Sequence, residues 1–221
     1  MVTLIDTLNK GWWRCTAFLR SAQIRLKNTS KLRRVKRIIR DAPHSEIRLH
    51  VGCGSVRLEG WINSDIEGNP DLFLDVTKRF PFPDGSVKYV YSEHMIEHIG
   101  VDDAAKCFKE FHRILAPGGV ARIATPDLDY VIGKFNGDWK NQDWLSEAEY
   151  KPIQTRAEMI NMSFRGWGHK YLYNEEELIR RLRSAGFAVI GKAGWGESSI
   201  QILSNLETRK DSKLIVEARK T

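Results

Sequence analysis

IRLHVGCGS (Ile47–Ser55) is the stretch that decides the fold of this 221-residue chain. A mostly apolar, extended run passes without pause into two glycines, which reads as a buried strand entering a tight turn. Further apolar runs follow at Trp61–Ser64, Leu72–Leu74, Lys88–Tyr91, Val120–Ala124, Ala188–Lys192 and Leu214–Ala218. They alternate with helical patterns. The clearest spans Asp102 to Leu115, with Ala105, Phe108, Phe111, His112 and Leu115 on one face and Pro117-Gly118-Gly119 as its stop. The second spans Glu175–Ala185, with Asn174 as N-cap and three glutamates in the first turn, where the helix dipole favours negative charge. Such alternation predicts an α/β fold, a parallel sheet with crossover helices.

In an open parallel sheet the crevice at the carboxyl ends of the strands is the default ligand site. Three consecutive strand ends here carry chemistry. Gly52 and Gly54 let a ligand approach the backbone. Asp65 ends the next strand, where a carboxylate can accept two hydrogen bonds from ribose hydroxyls. Asp75 ends the one after, where it or the amide of Val76 can meet an adenine edge. Only 13 residues separate Gly52 from Asp65, so the first crossover helix is expected to shrink to a turn or a loop (SVRLEG).

Hydrophobic residues are 42% and charged residues 29% of the chain, a composition that excludes disordered and fibrous classes. No apolar run approaches the ~20 residues of a membrane-spanning helix, and the opening residues lack a signal-peptide pattern. Cys15, Cys53 and Cys107 are too scattered for a disulfide framework or a zinc site. A cytoplasmic protein is expected.

The net charge of +7 is uneven: residues 1–40 carry +10 and the remainder −3. The chain is therefore divided into a basic amphipathic helical arm (1–41) and a domain (42–221). The arm has two apolar stripes at helical spacing, Leu4/Leu8/Trp12/Cys15/Phe18 and Leu32/Val35/Ile38/Ile39, flanked by arginines and lysines. Three uses stay open. The stripes pack on the domain or form a homodimer contact; the basic helix lies on an anionic membrane at its inner face; or it meets nucleic acid, the less favoured use because both tryptophans sit on the apolar side. A first crossover reduced to a loop would bare one face of the sheet, and Leu32–Ile39 are the obvious cover. Within the domain, residues 127–169 interrupt the alternation with aromatic and polar residues, as a lid or substrate wall would.

GCG, the acid at Asp65, FPFPDGSVKYVYSEHMIEHI and FHRILAPGGVARIATPD together resemble successive motifs of the class I S-adenosylmethionine-dependent methyltransferases. More narrowly they are similar to a small bacterial group, methyltransferase type 11, associated with surface-polysaccharide and glycan synthesis. The resemblance covers about Ile47 to Phe187. It implies a Rossmann-like, seven-stranded, mostly parallel sheet with helices on both faces and the last strand antiparallel. It implies S-adenosylmethionine as cofactor and S-adenosylhomocysteine as product. Gly52, Cys53 and Gly54 would cradle the methionine end, with His50, at a position usually acidic or polar in the family, helping to order it. Asp65 and Ile66 would hold the ribose, Asp75 and Val76 the adenine, and Ser92, Glu93 and His94 would lie beside the sulfonium.

Methyl transfer from a sulfonium is an in-line displacement, so alignment does much of the work, and a sugar hydroxyl needs a general base besides. His94 and His98 are base candidates after the fourth strand, and His169 is a third, in the loop FRGWGHKYLY (Phe164–Tyr173). Arg165, Lys170 and Tyr171 in that loop are candidates for binding the acceptor. HxxEH (His94–His98) resembles a zinc-binding helix pattern, but no outlying third ligand is evident and no metal is expected. The expected acceptor is small or glycan-linked, methylated at oxygen or nitrogen. The rivals are an RNA methyltransferase, which lacks NPPY-like and Pro-Cys motifs here, and a non-catalytic module of the same fold docking at a membrane or partner.

Overall fold

A computed structural model of the chain describes residues 28–41 and 47–221. Seven strands form one sheet in the order β3-β2-β1-β4-β5-β7-β6. They are β1 (Arg48–Val51), β2 (Ile62–Asp65), β3 (Leu72–Phe73), β4 (Val87–Glu93), β5 (Leu115–Thr125), β6 (Val189–Lys192) and β7 (Leu214–Arg219). Pairing is parallel from β3 through β5, with Leu49 beside both Ile62 and Val90, and β7 runs antiparallel to β5 and to β6. This is the expected α/β sheet, last strand included. Because β1, β2 and β4 are parallel and adjacent, their carboxyl ends converge on one edge.

Helix α1 covers residues 28–41; α2 is Val101–Ile114, α3 Leu128–Asn136, α4 Arg156–Arg165 and α5 Glu175–Ser184. The α5 start is as expected, Asn174 accepting a hydrogen bond from the Glu177 N–H at 3.1 Å. Helix α2 stops at Ile114, just before Pro117–Gly119, which form a turn inside the first part of β5 with Gly118 at φ 69°.

One face of the sheet holds the main core. Leu49, Val51, Val90 and Ile123 of the strands meet Phe108 and Phe111 of α2, Leu178 and Leu182 of α5, and Val35 and Ile39 of α1. The opposite face has a smaller core of Trp61, Tyr91, Val120, Leu203 and Leu206. No α-helix contributes to it among the described residues, so the expected helices on both faces are amended: this side is roofed by the β1–β2 loop and the long β6–β7 connection.

The first crossover is a loop, as its length required, but α1 does not cover the face it leaves. Right-handed connections that step one way along a sheet lie on one face, and those that step back lie on the other. The β1–β2 link steps toward β3; the β3–β4 link steps back. The β3–β4 link also lacks a helix, and its Phe80 and Phe82 share the main core with Val35 and Ile39. So α1 fills the place of a missing β3–β4 helix, each buried side chain contributing about 1.5–3 kcal/mol. Asn28 completes the edge strand: its side chain donates to Phe73 O at 2.9 Å and accepts from Phe73 N at 3.2 Å. Of the apolar stripe of residues 32–39, Val35 and Ile39 are thereby buried and Leu32 packs against the core, while Ile38 stays exposed beside the outward-facing Arg33, Arg34, Lys36, Arg37 and Arg40. The first stripe of the arm lies outside the described residues. Among the described residues, no helix is long and apolar enough to cross a membrane.

Candidate functional site

The chain turns after β1 through Gly52 (φ 71°) and Gly54 (φ 53°), with Gly52 and Cys53 N–H groups donating to Ser64 O at 2.9 and 3.0 Å. A Cβ on Gly52 would lie 2.5 Å from Met95 Cγ, so only glycine fits. A Cβ on Gly54 would meet no atom within 4 Å; it would project into open space. Asp65 ties this turn down: Oδ2 accepts from Gly54 N at 2.8 Å and Oδ1 from Glu67 N at 3.0 Å. Each oxygen keeps a lone pair for a ligand. Asp75 is braced in the same way, Oδ1 accepting from the Thr77 amide and hydroxyl at 2.9 and 2.7 Å.

These groups line one end of a cavity of about 1180 Å³. The sequence-predicted Gly52, Gly54, Asp65, Ile66, Asp75, Val76, His94, His98, His169 and Lys170 all reach its wall. A pocket for a single drug-sized ligand spans roughly 300–1,000 Å³, so this one has room for two molecules side by side.

Beyond the glycine turn, β4 ends in a short helical turn, Ile96–His98. His94 stands at φ 49°, its N–H donating to Ala124 O at 2.9 Å. A non-glycine residue in this region is strained, and such strain gathers at functional sites. Its Nδ1 lies 3.3 Å from Glu97 Oε1, and His98 Nε2 lies 3.9 Å from the same oxygen. Glu97 is fully buried; Oε2 accepts from Thr125 Oγ1 at 3.1 Å, while Oε1 has no hydrogen-bond partner. Burial pushes the Glu97 carboxyl up to about 7, against the opposing Thr125 hydrogen bond. Burial likewise holds His94 down to about 3 and lowers His98 and His169, favouring the neutral imidazole in each case. His169 arrives from the turn before α5, its ring edge-on to His98 with centroids 5.0 Å apart. Lys170 and Tyr171 N–H groups donate to Glu97 O at 2.7 and 3.2 Å, locking the two segments together.

Six expected residues do not line the cavity. His50 points to the smaller core, where it meets Asn63 Oδ1 at 3.2 Å and packs on Tyr91, and burial keeps it neutral. Cys53 is buried, its thiol raised to about 11 by that burial. Ser92 is buried in β4. Glu93 turns away to clamp residues 208–212, accepting from the Thr208 amide and hydroxyl, the Arg209 amide and Ser212 Oγ at 2.7–3.1 Å. Burial would raise its carboxyl, but these donors outweigh it and hold it below the usual range. Strand parity explains both of these polar cases: His50 alternates with the core residues Leu49 and Val51, and Glu93 shares a face with Tyr91. Tyr171 packs toward α5, bonding Glu177 at 3.2 Å, and Arg165 is exposed.

Residues 127–169 form a wall of the cavity. Trp144, Tyr150 and Trp167 pack edge-on with centroids 5.0–5.6 Å apart, and Trp167 Nε1 donates to Tyr150 OH at 2.6 Å. The clamped segment supplies Thr208, Arg209, Lys210, Asp211 and Lys213, which sequence reasoning missed. No local pattern signals them, because their anchor, Glu93, lies 115 residues earlier for Thr208.

A solved structure of an S-adenosylmethionine-dependent methyltransferase from Archaeoglobus fulgidus is similar at 17% identity, covering 84% of this chain and 92% of that one, with a TM-score of 0.49. A second, from Mesorhizobium loti, is similar at 18% identity, covering 83% and 96%, with a TM-score of 0.48. No curated protein matches the chain. The sequence profile of a family described as a methyltransferase domain matches residues 29–192, which takes in α1 and the sheet through β6. The chain belongs to this methyltransferase-domain family, and it is an enzyme.

Proposed function

We propose that the enzyme methylates an oxygen or nitrogen of a small or glycan-linked acceptor, in the synthesis of a surface polysaccharide. One observation carries this: a single cavity is lined both by the strand-end glycines with Asp65 and Asp75, which suit a nucleoside, and by His94, His98 and His169 with an aromatic wall, Glu97 lying buried behind the histidines. When bound, S-adenosylmethionine supplies an electrophilic methyl group on a sulfonium. Asp65 would accept the ribose hydroxyls, with Ile66 against the sugar. Asp75 and the Val76 amide would meet the adenine, and the turn Gly52–Gly54 would admit the methionine end. The positive φ at both glycines and the open space at Gly54 fit this occupant.

The acceptor would lie against Trp144, Tyr150 and Trp167, whose faces suit the C–H surface of a sugar ring, with Lys170 and Arg209 available to an anionic substituent. The acceptor atom's lone pair forms the new bond to carbon as the sulfur–carbon bond breaks, and its proton leaves toward the cluster of His94, Glu97, His98 and His169. Holding both partners in line is the larger contribution.

Thermal denaturation with S-adenosylhomocysteine tests the donor site. At a hundred times the dissociation constant, binding should stabilise the fold by about 2.7 kcal/mol. A folded protein whose melting temperature does not respond would defeat the proposal.

Attachment of the arm to an anionic membrane is the second part of the proposal. With Val35 and Ile39 committed to the core, α1 would meet lipid chiefly through its outward charges, at about 1 kcal/mol per basic residue, with Ile38 as its one exposed large apolar side chain among the described residues. Vesicles containing phosphatidylglycerol should pellet the full chain in a salt-dependent manner, and pellet less of a variant with Arg33, Arg34, Lys36 and Arg37 changed to Glu. Equal pelleting of both, or of neither, would end this idea.

A further inference from the structure

We propose that Glu97, His98 and His169 bind a divalent transition-metal ion of the zinc class, with its open positions facing the acceptor end of the cavity. One ligand atom from each residue lies within 4.8 Å of the others. A tetrahedral zinc site with bonds of about 2.0–2.1 Å puts its ligands about 3.3 Å apart. The cluster therefore needs to contract by up to about 1.5 Å, and both imidazoles are partly exposed rather than packed on all sides.

Two of the three ligands, His169 and Glu97, are already supported as metal ligands are. His169 Nδ1 lies 2.8 Å from the carbonyl oxygen of Ser163. A carbonyl can only accept, so the ring proton sits on Nδ1 and the lone pair on Nε2. An imidazole whose second nitrogen donates to a backbone carbonyl is the common arrangement around bound metals. Glu97 Oε2 is held by the Thr125 hydroxyl at 3.1 Å, which leaves Oε1 as the coordinating atom. That oxygen is completely buried and has no hydrogen-bond partner among the described residues. A buried carboxylate oxygen left without a donor is costly, and a cation satisfies it directly. The backbone bonds from Lys170 and Tyr171 to Glu97 O bring the segments together before any ion arrives.

The donor set chooses the ion. Two imidazole nitrogens and one carboxylate suit zinc and similar ions rather than magnesium or calcium, which prefer oxygen ligands. His94, whose Nδ1 lies 3.3 Å from the same oxygen, is not part of the set. HxxEH thus contributes its Glu and its second His, and the third ligand comes from 71 residues farther on.

The ion's role, unlike its binding, rests on the proposed function. An acceptor hydroxyl coordinated at an open position ionises more readily. Its proton passes to solvent, and the oxygen lone pair attacks the methyl carbon as the sulfur–carbon bond breaks. The three side chains would then be ligands rather than proton acceptors.

The test is calorimetric titration with zinc chloride of full-length protein stripped with chelator, with S-adenosylhomocysteine stabilisation measured on every variant. Wild type should bind one equivalent. Thr125→Val, which removes only the carboxylate's support, should weaken binding about 10–100-fold, and Glu97→Gln and His169→Ala by at least as much. His112→Ala, altering a histidine packed on Phe187 away from the cluster, should bind like wild type. An unchanged response to S-adenosylhomocysteine in Thr125→Val and His169→Ala would show that fold and donor site survive. Absence of zinc binding by wild type, or equal binding by all variants, overturns the metal site. If S-adenosylhomocysteine still stabilises the protein in that case, the methyl-transfer proposal stands with a histidine as base.

Discussion

Asp65→Ala should weaken S-adenosylhomocysteine binding by about 10²-fold or more and abolish its thermal stabilisation at concentrations that saturate wild type. Two ribose hydroxyls donating to a carboxylate are worth about 1.5–3 kcal/mol each. Their joint loss therefore spans factors of roughly 10² to 10⁴. The same carboxylate holds the Gly54 amide at 2.8 Å, so its removal also loosens the glycine turn. Asp65→Asn separates the two effects: an amide oxygen can still accept from Gly54 but carries no charge, and an intermediate loss is expected. The measurement is calorimetric titration on variants that retain a cooperative melt. Wild-type affinity in Asp65→Ala would remove the ribose assignment.

Arg122→Leu should cost about 3–5 kcal/mol of stability in urea denaturation, the usual price of breaking a buried ion pair on one side. The Arg122 side chain is fully buried on the face roofed by loops. It reaches Glu207 at 2.6 Å, Glu217 at 2.7 Å, and the carbonyl oxygens of Glu197 and Gly194 at 2.9 and 3.2 Å. Without it, the buried Glu207 carboxylate keeps, among the described residues, only the Gly196 amide at 3.0 Å. Arg122→Leu with Glu207→Leu should recover part of the loss, because the fully buried carboxylate is then gone, though the partly exposed Glu217 carboxylate and both carbonyls still lack their donor. A single variant within about 1 kcal/mol of wild type would show that the network is not what fastens the β6–β7 connection. Since that connection carries residues 208–213 to the cavity, the single variant should also bind S-adenosylhomocysteine more weakly.

The clamp from Glu93 and the anchor from Arg122 share a feature: both tie strands of the central sheet to a segment far along the chain. Neither residue looks structural in the sequence. Glu93, next to two histidine-bearing turns, reads as a cofactor contact, and only the two-residue alternation of β4 hints that it points the other way. His50 carries the same hint from its neighbours Leu49 and Val51. Arg122 sits inside an apolar run with nothing nearby to reveal three acceptors arriving from residues 194–207 and a fourth from residue 217.

By itself the sequence determined the strands, the two main helices, the glycine turn, and Asp65 and Asp75 at successive strand ends. All of these follow from short-range physics: alternation along a strand, 3.6-residue periodicity, caps, and the conformations open to glycine. Tertiary structure alone decided which face α1 covers, since that depends on the handedness of two connections that both lack a helix. It alone brought the Ser163-bonded His169 to Glu97 and His98. Contacts between segments 71 residues apart are set by how the whole chain closes around its core, and local periodicity carries no record of them.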